Sequence, residues 1–222
     1  MRKNIIFLNL SLLLVMAITQ ISCKLVHPTP TDAGWEQLVN ADLSNMEAPK
    51  KNWYLNENGE LTADTQGGAD IWTTTQYDNF MLDLEYKVGP KANSGIFLRA
   101  QNHGWFPWME VQVEDSYGKP VAKNTPGAIY DIKEPTINAV KPAGQWNRMT
   151  ITANGPLICV VLNDQKVVDI NLDDWTTAHQ NPDGSENKFD IPYKDLPRSG
   201  WIGFQGHTGK VWYRNIRIKK LL

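Results

Sequence analysis

A short acidic segment carries the residues best suited to acid–base chemistry. In Glu110-Val111-Gln112-Val113-Glu114, polar and apolar side chains alternate, and residues two apart on a β-strand point to the same face of a sheet. Glu110, Gln112 and Glu114 are therefore predicted to share one face. Two carboxylates with an amide between them can supply a general base or bind a cation. The alternative is the solvated outer face of an antiparallel sheet, which produces the same alternation.

Arg99 is the second candidate, and it ends the alternating segment 93–99. The planar guanidinium group of arginine suits anions and the oxyanions that develop during a reaction. If the two segments form neighbouring strands, Arg99 would be able to contact Glu110 or Glu114. The alternative is a cross-strand ion pair with a purely structural role.

His207 is the third candidate, in the sequence Gln205-Gly206-His207 that follows the apolar segment 201–204. A histidine in a glycine-containing loop at the end of a strand is accessible to a substrate, and imidazole titrates near neutral pH. The alternative is a loop histidine that is hydrogen-bonded for structural reasons. His103 is a weaker candidate of the same kind.

The chain contains nine tryptophans, which is many for its length. Their large rings offer contact area to a sugar at a low cost in conformational entropy. Four are candidates for stacking on a sugar, with the core as the alternative for each: Trp72, Trp105, Trp108 and Trp175. The other five are predicted to fill the core: Trp35, Trp53, Trp146, Trp201 and Trp212.

A β-sheet scaffold is predicted to position these residues. No segment sustains a 3.6-residue apolar period, and short alternating runs are bounded instead by Gly, Pro, Asn and Asp. The predicted strands are 69–73, 80–88, 94–100, 109–114, 147–153, 157–162, 166–170, 200–205 and 211–219. This pattern predicts an all-β fold, a jelly-roll β-sandwich of two curved antiparallel sheets. The irregular stretches 103–107, 118–141 and 173–198 are predicted to be functional or mobile loops.

The N-terminal sequence predicts that the protein is located in the cell envelope. Arg2 and Lys3 precede an apolar run, 5–21, that is too short for a stable membrane span and is typical of a signal peptide. The run ends at Ser22-Cys23, which resembles a bacterial lipobox and implies cleavage before Cys23 and lipid on its sulfur. The alternative is plain secretion with Cys23 as an unmodified thiol.

Processing at this point would divide the chain into three parts: a signal peptide (1–22), a lipidated cysteine with a tether (23–33) and one folded domain (34–222). The formal net charge of −2 becomes more negative when the basic start is removed, which argues against nucleic acid as a partner. There is no phosphate-binding glycine loop, His-Glu-x-x-His, Cys-x-x-Cys or nucleophile elbow. Familiar nucleotide enzymes, zinc proteases and serine esterases are therefore not expected.

Motifs spread over nearly all of residues 34–220 resemble the 3-keto-disaccharide hydrolase family, which is common in envelope lipoproteins of Bacteroidetes. They occur in the family's order and are specific only in combination. The matching segments are 34–38, 71–73, 80–85, 93–99, 110–113, 127–130, 141–142 with 146–147, 200–205 and 214–218. Gly206-His207 matches a Gly-His element that family members often carry near the end of the domain.

The resemblance implies a concanavalin-like jelly roll and action on glycosides that are already oxidised to a ketone at carbon 3. Such a ketone acidifies the hydrogen on carbon 2. A base removes this hydrogen, the enolate expels the substituent on carbon 1, and water adds to the resulting enone. The route needs a base, an oxyanion stabiliser and an acid for the leaving group. A separate sugar 3-dehydrogenase would have to supply the keto sugar.

The resemblance also implies roles for the candidate residues. Glu110 or His207 would be the base or the acid, and Arg99 with Gln112 would hold the ketone or enolate oxygen. Five further residues would shape the site, hold a cation or line sugar subsites: Glu114, Glu85, Trp72, Tyr130 and Gln205. A divalent metal ion would polarise the ketone, although no ligand spacing in the sequence establishes one. Two alternatives stay open: a conventional glycosidase that uses Glu110 and Glu114, and a carbohydrate-binding module without catalysis.

Overall fold

A computed structural model of the chain describes residues 32–47, 52–66, 68–103 and 108–222. The predicted signal peptide, Cys23 and Trp105 lie outside these ranges, so the lipid anchor and the role of Trp105 stay predictions. Within the described ranges, no helix has the length and apolar character needed to cross a membrane.

The described part of the chain is built almost entirely of β-strands. The strands are β1 (Glu36–Gln37), β2 (Met46–Glu47), β3 (Trp53–Leu55), β4 (Leu61–Gln66), β5 (Ile71–Tyr77), β6 (Phe80–Val88), β7 (Asn93–Ala100), β8 (Met109–Glu114), β9 (Asn147–Asn154), β10 (Leu157–Leu162), β11 (Gln165–Asn171), β12 (Gly200–Phe204) and β13 (Thr208–Lys220). Two short 3₁₀ turns, Leu172–Asp174 and Tyr193–Asp195, lie in the segment between β11 and β12.

The strands pair antiparallel and form two layers. In the first sheet the order is β3-β4-β13-β6-β9-β10-β11, and β1 pairs with the last part of β13. In the second sheet the order is β8-β7-β12-β5-β2. Among the described strands, one residue pair, Thr208 of β13 with Asn93 of β7, connects the two layers. This arrangement confirms the predicted jelly-roll β-sandwich.

One apolar core lies between the layers. Leu84 of β6, Ile96 of β7 and Val111 of β8 are fully buried in it, and strand alternation sends their neighbours to the outer faces. On the outer face of the second sheet, Trp72 of β5 and Phe97 of β7 form a separate cluster with Ala100. This outer face therefore carries apolar surface of its own.

The tryptophans are distributed differently from the prediction. Trp53 lies in the core as expected, but so does Trp175, whose indole N–H donates to Asn181 Oδ1 at 2.9 Å. The prediction that Trp175 stacks on a sugar is therefore wrong. Trp201 was expected in the core and instead packs, half-buried, against the outer cluster of the second sheet.

Trp146 and Trp212 also lie outside the core, half-buried on the first sheet. The ammonium group of Lys87 lies between them, 4.6 Å from the centre of the Trp146 ring and 4.5 Å from that of Trp212. Such cation–π contacts let a large ring remain at the surface. The prediction that these two rings fill the core is wrong for that reason.

Candidate functional site

The outer face of the second sheet carries an aromatic wall formed by Trp72, Phe97, Trp108 and His103. Trp72 stacks on Phe97 with ring centres 5.1 Å apart and on His103 with centres 5.3 Å apart. Phe97 also contacts Trp108, at 5.0 Å. Trp72 is only 4 % exposed, because its neighbours cover it. It therefore shapes the wall and offers little free face to a ligand.

Gly203 of β12 makes room for this wall. It lies opposite Phe97 on one side and Trp72 on the other. A side chain there would overlap the Trp72 ring, because a Cβ built on Gly203 comes within 2.6 Å of Cζ3. The glycine thus lets two large rings meet across the strand that separates them.

Glu110 lies next to this wall and extends over a second glycine, Gly95. The register places Phe97 opposite Glu110 and Gly95 opposite Gln112. A Cβ on Gly95 would overlap the Glu110 carboxyl group, since it would lie 2.7 Å from the carboxyl carbon. The Glu110 side chain therefore occupies the space that a residue other than glycine would fill.

The Glu110 carboxyl group is in an environment that favours its neutral form. Glu110 is 4 % exposed, and burial raises its pKa to about 8, with the positive charge of Lys188 opposing the rise and the negative charge of Asp70 adding to it. No other side chain of the described residues hydrogen-bonds to this carboxyl group. A carboxyl group with a pKa near neutrality suits proton transfer.

Gln112 and Asn93 continue the polar part of the site. Gln112 is 2 % exposed, and its Nε2 donates to Asn93 Oδ1 at 3.0 Å. Its Oε1 is buried and accepts no hydrogen bond from the described residues. A buried acceptor without a donor is costly, so this atom is suited to a donor from a ligand.

Glu114 lies opposite Asn93 at the end of the same row. It is half-buried, and burial raises its pKa, while Lys119 and a hydrogen bond with Gln112 oppose the rise. The prediction that Glu110, Gln112 and Glu114 share one face is confirmed, because Val111 and Val113 lie in the core. Since Glu110 and Gln112 are buried, that face is not simply a solvated outer surface.

Lys188 and Tyr130 reach the site from two loops. The Lys188 ammonium group lies 4.2 Å from the centre of the Tyr130 ring, and the main-chain N–H of Tyr130 donates to the carbonyl of Glu110 at 2.9 Å. Asp131 fixes the loop that contains Lys188, because the Asp131 carboxylate accepts the main-chain N–H of Lys188 at 2.8 Å. The irregular stretch 173–198 thus places a cation next to Glu110.

Asp70, Gln205 and His207 form the rim beyond Gly95. The main-chain N–H of Gln205 donates to the carbonyl of Gly95 at 2.9 Å, and Asp70 Oδ1 accepts the N–H of Gly206 at 3.1 Å. Burial raises the pKa of Asp70, while the Gly206 hydrogen bond and the charge of His207 lower it. His207 itself is exposed, with Nδ1 2.6 Å from Thr208 Oγ1. It is therefore accessible at the edge of the site.

Arg99 lies outside this cluster. A bulge in the pairing of β7 with β12 and a positive φ of 52° at Arg99 turn its side chain away, as bulges commonly do. The guanidinium group donates to the carbonyls of Asp78 at 2.8 Å and Gly155 at 2.7 Å, and more weakly to Asn79. Burial lowers the Arg99 pKa to about 10. The expected contact with Glu110 or Glu114 is wrong.

Glu85 also lies elsewhere. It belongs to β6 of the first sheet, where its carboxylate accepts hydrogen bonds from Arg214 and Asn215. The expectation that it shapes the same site as Glu110 is wrong, because the two strands lie in different layers.

The sequence interpretation missed four residues of the site: Asp70, Asn93, Phe97 and Lys188. Asp70 lies two residues from Trp72, and Asn93 and Phe97 each lie two residues from Gly95. Strand alternation therefore predicts that they face the same side of the sheet as those residues, and it could have identified all three. Lys188 lies in an irregular loop, and no local pattern indicates where that loop folds. No three His, Cys, Asp or Glu side chains of the described ranges are grouped so as to hold a metal ion.

Comparison with known proteins shows the family and the fold of the chain. The family model of the 3-keto-alpha-glucoside-1,2-lyase-like domain matches residues 34–219. A curated relative, the 3-keto-disaccharide hydrolase of Bacteroides thetaiotaomicron, is 29 % identical over 75 % of this chain and 67 % of its own length.

Two solved structures from Parabacteroides distasonis ATCC 8503, each described as a candidate glycosyl hydrolase, are similar to the whole domain. One is 34 % identical with a TM-score of 0.79 and covers 84 % of this chain and 99 % of its own. The other is 23 % identical with a TM-score of 0.69, covers 85 % and 94 %, and supports the fold alone.

Proposed function

Since the chain belongs to the family of 3-keto-alpha-glucoside-1,2-lyase-like domains, we propose that it cleaves glycosides carrying a ketone at carbon 3 by elimination and hydration. The observation that carries this proposal is the buried Glu110 carboxyl group, with its pKa of about 8, extended over Gly95 beside an aromatic wall. The reaction requires one base that removes a moderately acidic C–H, and a single carboxyl group of this kind is suited to that task.

In the proposed reaction, Glu110 carries a proton in two steps, first as a base and later as an acid. The Glu110 carboxylate takes the proton from carbon 2, and the electron pair of that bond moves onto the ketone oxygen as an enolate. The enolate re-forms the ketone and expels the substituent on carbon 1, whose oxygen takes a proton. Water then adds its hydroxyl to carbon 1 of the enone and gives its remaining proton to the group that had protonated the leaving oxygen, and protonated Glu110 returns its proton to carbon 2. The products are the free 3-keto sugar and the released alcohol.

Three further residues complete this proposal. Lys188, whose positive charge acts on Glu110, would stabilise the enolate oxygen. The unpartnered Oε1 of Gln112 would accept a sugar hydroxyl. His207, exposed at the rim, would protonate the leaving oxygen.

The test is to incubate the purified protein with a 3-keto-glucoside and with its unoxidised parent, each with and without a chelator, and to follow release of the aglycone. Release from the keto sugar alone is expected. Release from the parent as well would indicate conventional glycosidase chemistry by Glu110 and Glu114. Binding without release from either compound would indicate a carbohydrate-binding module. The chelator arm reports whether a metal ion takes part.

Replacing Lys188 with Met is expected to lower kcat by roughly 10- to 100-fold, because an oxyanion partner is lost. It should also move the rising, acidic limb of the pH profile to higher pH, because Lys188 holds the Glu110 pKa down. Lys194→Met is the matched control, since Lys194 lies in the same loop and pairs with Asp195 instead. An unchanged kcat and pH profile in Lys188→Met would remove Lys188 from the mechanism.

The cellular setting is part of the same proposal. Lipid on Cys23 would hold the domain in the cell envelope, at the periplasmic or outer-membrane surface. A separate sugar 3-dehydrogenase would supply the substrate, because elimination depends on a ketone that this reaction does not make.

A further inference from the structure

A cleft of about 820 Å³ lies in the first sheet, and none of the residues that line it belongs to the site around Glu110. Its volume is within the range of small-ligand sites, roughly 300–1,000 Å³. Six of the lining residues carry amide or guanidinium groups: Gln37, Asn40, Asn56, Asn58, Arg214 and Asn215. We call this the amide cleft.

The amide cleft lies where, along one edge of β13, the pairing partner changes from β4 to β1. On one side β13 pairs with β4 up to Tyr213 and with β1 from Arg217 onwards. Between these points its pairing with β6 is broken by a bulge, and Asn215 adopts a positive φ of 51°. A bulge leaves its extra residue outside the ladder and redirects side chains. The opening is thus built into the strand.

Glu85 holds the polar wall of the amide cleft in place. Its carboxylate accepts hydrogen bonds from Arg214 Nε at 3.0 Å, from Arg214 Nη2 at 3.3 Å and from the side-chain amide of Asn215. The Arg214 guanidinium also lies 3.9 Å above the centre of the Trp146 ring. Because Glu85 neutralises Arg214, this wall offers fixed hydrogen-bonding groups with no net charge.

The floor of the amide cleft is aliphatic, with Val39, Leu55 and Ile216 among its lining residues. Amides each offer donors and an acceptor, which match vicinal hydroxyl groups, and aliphatic side chains match the C–H faces of sugar rings. Glu57 also lines the cleft, and since Glu85 neutralises Arg214, the remaining negative charge of Glu57 favours an uncharged ligand over an acidic one.

We propose that the amide cleft is a second, non-catalytic carbohydrate site that binds an unoxidised, neutral gluco-oligosaccharide. The choice of a glucose-containing chain depends on the proposed function, whereas the polar, uncharged character of the ligand depends only on the cleft. Binding at such a site would hold the domain on an oligosaccharide chain while the Glu110 site acts on keto sugars that are released or oxidised nearby.

The test is titration calorimetry with maltohexaose on the purified protein and two cleft variants. Asn215→Gly removes one amide and keeps a residue that tolerates positive φ. The double variant Gln37→Ala/Asn58→Ala removes two exposed amides that make no side-chain hydrogen bond to other described residues. Each is expected to weaken the Kd at least about tenfold. Asp164→Gly, at another positive-φ turn, is the matched control and should bind normally.

The outcomes separate this proposal from the proposed function. Absence of maltohexaose binding, or binding that both cleft variants retain, overturns the second site. Binding that is lost in Lys188→Met but kept in Asn215→Gly assigns maltohexaose to the Glu110 site and likewise overturns it. Cleavage of a 3-keto-glucoside should be unchanged in Asn215→Gly. If the unmodified protein cleaves no keto sugar, the proposed function fails while the cleft result still holds.

Discussion

Replacing Glu110 with Gln is expected to lower kcat/KM for a 3-keto-glucoside by roughly 10²- to 10⁴-fold, the usual contribution of a general base. Gln has the same shape and cannot accept the proton from carbon 2. Glu110 is buried and makes no side-chain hydrogen bond to the other described residues. The change to Gln therefore breaks no such contact, and the fold should survive. Initial rates with the keto sugar, and thermal unfolding of the same samples, measure both effects.

Glu114→Gln is the matched control for this change. Glu114 shares the strand and the face of Glu110 but is only half-buried. In the elimination route it has no proton to carry, so its replacement should change kcat/KM by less than about tenfold. Equal losses in the two variants would instead indicate a pair of carboxylates acting together.

The pH dependence follows from the same carboxyl group. With a folded-state pKa of about 8, a growing fraction of Glu110 is deprotonated as pH rises towards and beyond 8, so kcat/KM of the free enzyme should rise over this interval.

The stability of the folded protein should change with pH in the opposite direction. Between the ordinary value of 4.5 and about 8, the folded state holds a proton that the unfolded state has released, so the free energy of unfolding falls as pH rises.

Glu110→Gln removes this pH-dependent loss of stability. Below pH 4.5 the carboxyl group is neutral in both states, and the variant and the unmodified protein should have similar stability. Above about pH 8 the variant should be the more stable of the two. A variant that is less stable than the unmodified protein at pH 9 would show that Glu110 is not held in a desolvating environment.

The site could be partly predicted because strand alternation is a local property. The polar face of β8 and the apolar core positions of β6 and β7 are defined by a period of two, which neighbouring residues determine by themselves. The boundaries of these strands agree with the prediction within a residue for the same reason. β1, β2, β3 and β4 were not predicted. The first three have only two or three residues each and depend on their partners for stability, whereas β4 has six residues and was missed outright.

The errors have a different physical origin. The Arg99 prediction assumed uninterrupted alternation, and the bulge at this residue depends on how β12 pairs with β7, which no local pattern reveals. The Glu85 prediction failed because both sheets carry alternating acidic strands, and the layer to which a strand belongs is set by topology. Lys188 was missed because a long loop brings it to Glu110, and side chains far apart in sequence decide that path.

Gly95→Ala is expected to abolish most of the activity without touching a titratable group. The added methyl group would overlap the Glu110 carboxyl group, so the carboxyl group must move off the sheet or the strands must separate. Overpacking of this kind costs about 1–3 kcal/mol of stability. The displaced carboxyl group would also be better hydrated, so its pKa should fall towards the ordinary value, and the pH profile should move to lower pH.

Two controls make this prediction specific to the contact between Gly95 and Glu110. Gly89→Ala introduces the same methyl group at a place where the nearest atom is 3.4 Å away, and it should leave kcat/KM unchanged. The double variant Gly95→Ala/Glu110→Gln should be no less active than Glu110→Gln alone, because both changes act through one carboxyl group. Additive losses in the double variant would mean that Gly95 serves the reaction in another way, for example by letting the substrate approach the sheet. In that case the position of Glu110 over Gly95 would no longer support its role as the base.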